Sequence, residues 1–317
     1  MKTMGVTFYS IAESNTRKTF LLIFLFFILL GTIGFLIDSF YLRFPEHFPF
    51  PLFTCIAVFI STIQTIVSYY RGDSLILHSL GARPLNLESV KEHMLLNVVE
   101  EMAIAAGIPR PRVYVIDSDN PNACAVGRDP QHASICVTSA LLDILNREEL
   151  QGVIGHEMAH IRNRDILTMT ITAALLGAII ILCEIGWRLQ YYTRYDRDRE
   201  EGLGGRGGCI FFILYLLLLI IAPILAKLVF LAVSRSREYV ADAHGAMFTR
   251  NPLALASALE KISKAPGGKL GSPATAHLFI ADPLKRSIGD YEGFWADLWS
   301  THPPIQKRIE LLKQMAI

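Results

Sequence analysis

The hydrophobic positions fall into four long blocks separated by mixed sequence. Phe20 to Ile37 runs 18 residues without a charge, after Arg17 and Lys18 and before Asp38, and Phe48 to Val67 covers 20 residues with Arg71 just beyond. Ile166 to Trp187 covers 22 residues and Ile210 to Val233 covers 24. Each is long enough to cross a hydrocarbon layer of ~30 Å as a helix, so the pattern predicts two membrane hairpins. The first block is read as an uncleaved anchor, because no small-x-small cleavage signal follows it. Glu184 and Lys227 sit near the ends of their blocks, where both can snorkel to an interface. An even number of crossings returns the chain to its starting side. Arg17, Lys18, Arg71, Arg162, Arg164, Arg235 and Arg237 flank that side, which the positive-inside rule assigns to the cytoplasm. Residues 188–208 dissent, with five arginines among four acidic residues.

Between and after the blocks the periodicity changes. Leu87 to Ala106 carries Val90, Met94, Val98, Met102 and Ala105 at helical spacing, closed by Gly107 and Pro109. Val113 to Ile116, Ala123 to Gly127 and Ala133 to Val137 are short β-rich runs and predict a three-stranded sheet. Asn146 precedes Glu149 by three, a capping-box spacing, and opens a helix toward His160. Ser234 to Phe248 and Leu253 to Ser263 read as helices. Residues 265–293 hold several breakers and read as a long loop. Gly202 to Gly208 follows no strand, so it is not a phosphate cradle. The expected fold is α+β and mostly helical: a membrane-anchored, zincin-like domain with a small β-sheet and four hydrophobic transmembrane helices. Its parts are a hairpin over 1–71, a first soluble half over 72–165, a second hairpin over 166–233 and a second soluble half over 234–317.

Composition supports a membrane chain. Of 317 residues, 52% are hydrophobic and 19% charged, which excludes intrinsic disorder. Thirty Lys+Arg against 29 Asp+Glu leave a net charge of +1, so nucleic acid is not an expected partner. The five cysteines form no CxxC pair and read as small buried hydrophobes.

Chemistry concentrates at His156-Glu157-Met158-Ala159-His160, an H-E-x-x-H on a predicted helix. Residues i and i+4 share a face, so both imidazoles can hold one Zn²⁺ while Glu157 stands by the open coordination position as general base. A catalytic zinc needs a third protein ligand, and the metzincin histidine is absent because that position is Ile166. Glu238 in Ser234-Arg235-Ser236-Arg237-Glu238-Tyr239-Val240-Ala241-Asp242 is the candidate ligand. Asp242, one turn on, suits a carboxylate that accepts from a ligand histidine's free N–H. Spacing alone leaves a solvated face paired to Arg235 and Arg237 equally open. Zinc is the metal suggested by ligand type.

HEMAH at 156–160 followed by SRSREYVAD at 234–242 resembles the HtpX-type membrane zinc metalloproteases, gluzincins related to the CAAX prenyl proteases. The resemblance covers nearly the whole chain. It implies that Asn122 and Ala123, within Pro121 to Gly127, align substrate as an added strand. It implies that His302 in His302-Pro303-Pro304 supports the oxyanion and that Arg308 helps position the site. His277 is taken as structural, and Cys124 departs from the larger apolar residue common there. The expected activity is zinc-dependent hydrolysis of peptide bonds in misfolded or damaged membrane proteins at the cytoplasmic face of the inner membrane, a quality-control role with polypeptide and lipid as partners. A CAAX-type prenyl protease would have more spans than four. A transporter would carry more polar groups in midmembrane, and a non-catalytic zinc scaffold would not need Glu157. The short link from His160 to Ile166 predicts a zinc helix that runs nearly straight into the third block, with the site close to the membrane.

Overall fold

The structure, a computed structural model, describes residues 8–39, 50–177, 235–266, 270–272, 274–283 and 303–316. The end of the third apolar block from 178 on, with Glu184, the whole loop carrying the dissenting arginines, the fourth block with Lys227, and His302 lie outside the described residues.

Helix α1 (Phe8–Ile37) extends the first apolar block backward through the mixed residues 8–19, and α2 (Leu52–Ser79) carries the second beyond Arg71. These are two helices long and apolar enough to cross a membrane. They pack as a hairpin pinned at the turn, where the Asp38 carboxylate accepts from Phe53 N (2.9 Å), Thr54 N (2.8 Å) and Thr54 Oγ1 (2.7 Å). Those N–H groups begin α2 and have no partner within the helix, so the aspartate serves as its cap from another element. The outer faces expose Phe20, Phe24, Ile28, Phe59, Ile63 and Ile66. Apolar surface of this kind is costly in water and matched in lipid.

The sheet has strands β1 (Arg83–Pro84), β2 (Arg112–Ile116), β3 (Ala123–Gly127) and β4 (Ala133–Thr138) in the order β1-β2-β4-β3. β2 and β4 are parallel, and β3 returns antiparallel to β4 as an edge. The three runs expected from the pattern are joined by β1. Two residues ending in proline give no periodic signal, and β1 is held instead by Arg83, which donates to Glu92 (2.8 Å) and Asp117 (2.9 Å). Helix α3 (Val90–Ala106) starts later than the pattern predicts, because Asn86 Oδ1 accepts from Glu88 N (3.1 Å) and forms a local turn first.

The core lies between the sheet and α3, the short α4 (Ser139–Ile144), α5 (Arg147–Arg162), α7 (Arg235–Thr249), α8 (Pro252–Lys264) and α9 (Ile305–Gln314). Leu150, Val153, Ile154, Met158 and Ile161 make α5 the buried centre of this cluster. Its capping box is present in both directions, with Glu149 N to Asn146 Oδ1 and Asn146 N to Glu149 Oε2 both at 2.9 Å. Helix α5 does not continue straight into the third block. It ends at Arg162, Arg164 takes a left-handed backbone (φ 57°), and α6 (Asp165–Gly177) restarts from there. The break is invisible to hydrophobic periodicity because it occupies two polar residues.

The stretch expected to be a long loop is partly ordered against the sheet. Ala276–Leu278 forms a 3-10 turn, Phe279 bridges antiparallel to Cys124, and Leu278, Phe279 and Ile280 are buried. The flanking breakers masked this short apolar run in the sequence.

Glycine sets how closely α5 and α7 approach. A Cβ on Gly245 would fall 2.8 Å from His156 N, and one on Gly152 would fall 2.9 Å from Leu255 Cα on α8. Gly245→Ala is expected to force the helices apart at a cost of ~1–3 kcal/mol, read as a lower unfolding temperature in detergent. A second expectation concerns acid. Burial alone would raise the Glu149 pKa, but bonds from Lys261, Ser257 and Asn146 outweigh it and hold it below the usual value. The folded value is depressed, so this stabilisation is complete above the ordinary carboxylate pKa of ~4.3 and lost as pH falls through the lower folded value. Lys261→Met should therefore flatten the loss of thermal stability between about pH 5 and pH 3.

Candidate metal centre

Helix α5 presents His156 and His160 on one face, with their Nε2 atoms 3.2 Å apart. Glu238, in the first turn of α7, sets Oε1 3.6 Å from His160 Nε2 and Oε2 3.7 Å from His156 Nε2. The three side chains are buried and offer ligand atoms within 4.8 Å of one another. The outer ring nitrogens are turned to carboxylates: His156 Nδ1 lies 2.9 Å from Asp242 Oδ1 and His160 Nδ1 lies 3.1 Å from Asp165 Oδ2. With each Nδ1 protonated toward its carboxylate, the Nε2 lone pairs face each other, and they repel at this distance unless a cation or a proton lies between. Two imidazoles and a carboxylate with such oriented rings fit zinc.

The charges around the two rings bias them in opposite directions. Burial opposes charge on His160, but the bond to Asp165 and the nearby Glu238 outweigh it and push its pKa up to about 9. His156 moves the other way, lowered by burial that the Asp242 contact only partly offsets. Glu157 is 1% exposed, and burial, reinforced by Glu238, pushes it up to about 7 against the charges of His160 and Arg308 and the Ala125 backbone N–H that faces its carboxylate. That donor comes from β3, so the sheet and the metal helix meet at the candidate base.

Arg308 on α9 is 1% exposed and reaches into the same cluster. Its Nε and Nη2 donate to Asp242 (2.8 and 2.7 Å), and Nη1 donates to Ile280 O (2.7 Å) while lying 3.6 Å from Glu238 Oε2. Burial would raise the Asp242 pKa, and Arg308 overrides it and brings it to about 2. Arg308 itself is held protonated against burial by the same carboxylates.

The structure thus brings Glu157, His156, His160, Glu238, Asp242 and Arg308 together. The solvated reading of the 238/242 face does not describe it, since Glu238 is 3% and Asp242 2% exposed. Asn122 and Ala123 lie on the β3 edge, and that edge is taken by the chain itself. Ile280 N donates to Ala123 O (3.0 Å), Asn122 Nδ2 to Ala281 O (2.9 Å) and Ala281 N to Asn122 Oδ1 (3.3 Å). His277 Nε2 lies 3.2 Å from Met169 O, far from the metal ligands in chemical role. Cys124 is buried beside Cys136, which with burial raises its pKa. Sequence reasoning missed Asp165. It follows His160 by five, off the helical face, and only the left-handed turn at Arg164 folds it back.

Removing Arg308 should strip the buried Asp242 of its two guanidinium hydrogen bonds and take a cation away from Glu238. Arg308→Met is expected to cost ~3–5 kcal/mol, and adding Asp242→Asn should recover part of it, a coupling readable from denaturant unfolding of the four variants.

Residues 89–316 match the family described as Peptidase family M48. A protease HtpX homolog of Thermoanaerobacter pseudethanolicus is 43% identical over 314 residues, covering 98% of this chain and 99% of that protein. One from Pyrococcus furiosus is 46% identical over 266 residues (83% and 86%), and one from Streptococcus gordonii 38% over 307 residues (95% and 98%). Among solved structures, the crystal structure of S. mikatae Ste24p aligns at 19% identity with a TM-score of 0.46, over 96% of this chain and 67% of that one. The family match over most of the chain, and the identity along nearly all of its length, establish that this chain belongs to peptidase family M48 and is a metalloprotease.

Proposed function

We propose that the chain is a membrane-bound zinc endopeptidase that cuts misfolded or damaged membrane proteins at the cytoplasmic face, with the four apolar blocks as transmembrane helices. The observation that carries the reading is the convergence of His156, His160 and Glu238 beside a buried Glu157. Zinc, when bound there, polarises the scissile carbonyl and acidifies a water. Every other task falls to side chains. Glu157 takes the proton from the attacking water and passes it to the leaving amine, and its burial, which favours the protonated form, helps it hold the proton between the two transfers. Asp242 and Arg308 hold His156 and the wall of the site. His302 supports the oxyanion, as the resemblance implies.

Substrate enters as an extended strand along β3, against Asn122 and Ala123, in place of the segment 279–281. The exposed apolar faces of α1 and α2 support a site held near lipid, where unfolded loops of membrane proteins are the nearest polypeptide.

The test is cleavage of casein by protein purified in detergent with chelator and then given zinc. Wild type should cut, whereas Glu157→Gln should bind zinc equally and lose at least about 10³-fold in rate, since both proton transfers go through one carboxylate. Zinc uptake without cleavage by either protein would favour a scaffold.

A further inference from the structure

Asn15 is an unusual residue for the flank of a membrane anchor: it is 2% exposed, on a helix whose neighbours Glu13, Ser14, Arg17 and Lys18 are exposed. Its carboxamide Nδ2 donates to Asp165 Oδ1 (2.5 Å) and to Asn163 O (3.0 Å). One turn on, Thr19 Oγ1 shares a hydrogen bond with Thr168 Oγ1 (2.7 Å). Asp165 is 1% exposed, and its other oxygen faces His160 Nδ1 at 3.1 Å. Arg237 on α7 stands further off, its Nη1 3.7 Å from Oδ1 and too far for a hydrogen bond, and the half-buried His244 also feels the Asp165 charge. Asn15 is thus the close donor to Asp165 Oδ1, and it arrives from an element that supplies no metal ligand.

We propose that Asn15 is a positioning residue of the metal centre: the first membrane helix clamps Asp165, and Asp165 in turn aims His160. The inference rests on zinc being held by His156, His160 and Glu238. A carboxylate with one oxygen on a ligand histidine can rotate about its Cβ–Cγ bond unless its second oxygen is held. The Asn15 amide holds it, and its second bond to the Asn163 carbonyl fixes the amide against the turn that brings Asp165 back under His160. Docking of α1 is thereby coupled to the geometry of a ligand about two bonds removed. Carboxylates that accept from ligand histidines typically matter ~10–100-fold in metal affinity, which sets the scale for the residue that holds one.

The experiment uses the full chain in detergent, stripped with chelator and titrated with Zn²⁺ against a competing indicator, and with Co²⁺ for its visible spectrum. Wild type should bind one zinc. Asn15→Ala should weaken zinc ~10-fold and shift the cobalt bands, and Asn15→Asp, which sets a second carboxylate against Asp165, should weaken it further. Thr19→Val loosens α1 docking without touching Asp165 and should stay within about twofold of wild type. In an Asp165→Asn background, Asn15→Ala should add less than about twofold. Wild-type affinity and spectrum in Asn15→Ala would overturn the proposal. So would an undiminished loss in the Asp165→Asn background, or an equal loss in Thr19→Val, since the effect would then be one of general docking. Failure of wild type itself to take up zinc would instead remove the metal reading on which the proposal stands.

Discussion

A guanidinium buried at 1% exposure is tolerable only when carboxylates surround it, and the Arg308–Asp242 pair is the constraint on which this architecture turns. The pair joins α9 to α7, and Asp242 passes the link to His156 on α5. The same guanidinium holds the Ile280 carbonyl and thereby ties the 279–281 segment to the helical layer. Four pieces of chain far apart in sequence therefore share one charge arrangement. The three helices cannot separate without exposing a charge to a medium that cannot solvate it, while the 279–281 segment is held to them by a single carbonyl.

The glycines complement this electrostatic link with a steric one. Gly245 lets the backbone of α7 touch that of α5 at His156, so the carboxylate of Glu238 reaches the histidine nitrogens with a short side chain rather than through a flexible arm. A site that needs its groups in place to within fractions of an ångström is better served by helix contacts than by loops. The α1–α2 hairpin follows a similar economy at its turn, where one aspartate satisfies three donors at the start of α2.

Legibility in the sequence followed the range of the interactions. His156 and His160 share a helical face, and so do Glu238 and Asp242, because the spacing of four is a local property of the α-helix. The capping box at Asn146 is equally local. Pairing the two helices rests on the requirement for a third ligand together with the family resemblance, since spacing alone leaves a solvated face equally open. What escaped is long-range or non-periodic: β1, two residues held by charges on α3 and beyond β2; Asp165, returned by a single left-handed residue; and Asn15, whose partner lies 150 positions away. The Leu278 to Ile280 run was hidden because a short apolar stretch between breakers looks the same whether it packs or not.

The occupied edge of β3 has a thermodynamic consequence. The 279–281 segment is attached to the same molecule, so it competes for that edge at an effective concentration that does not change with the dilution of the protein. If substrate adds to this edge as proposed, a dilute free peptide must overcome that standing competitor, whereas a chain confined to the same bilayer would arrive at a comparably high local concentration. Discrimination of this kind needs no side-chain recognition. It filters by tethering, and it would leave small soluble peptides as poor competitors even if their sequences were ideal.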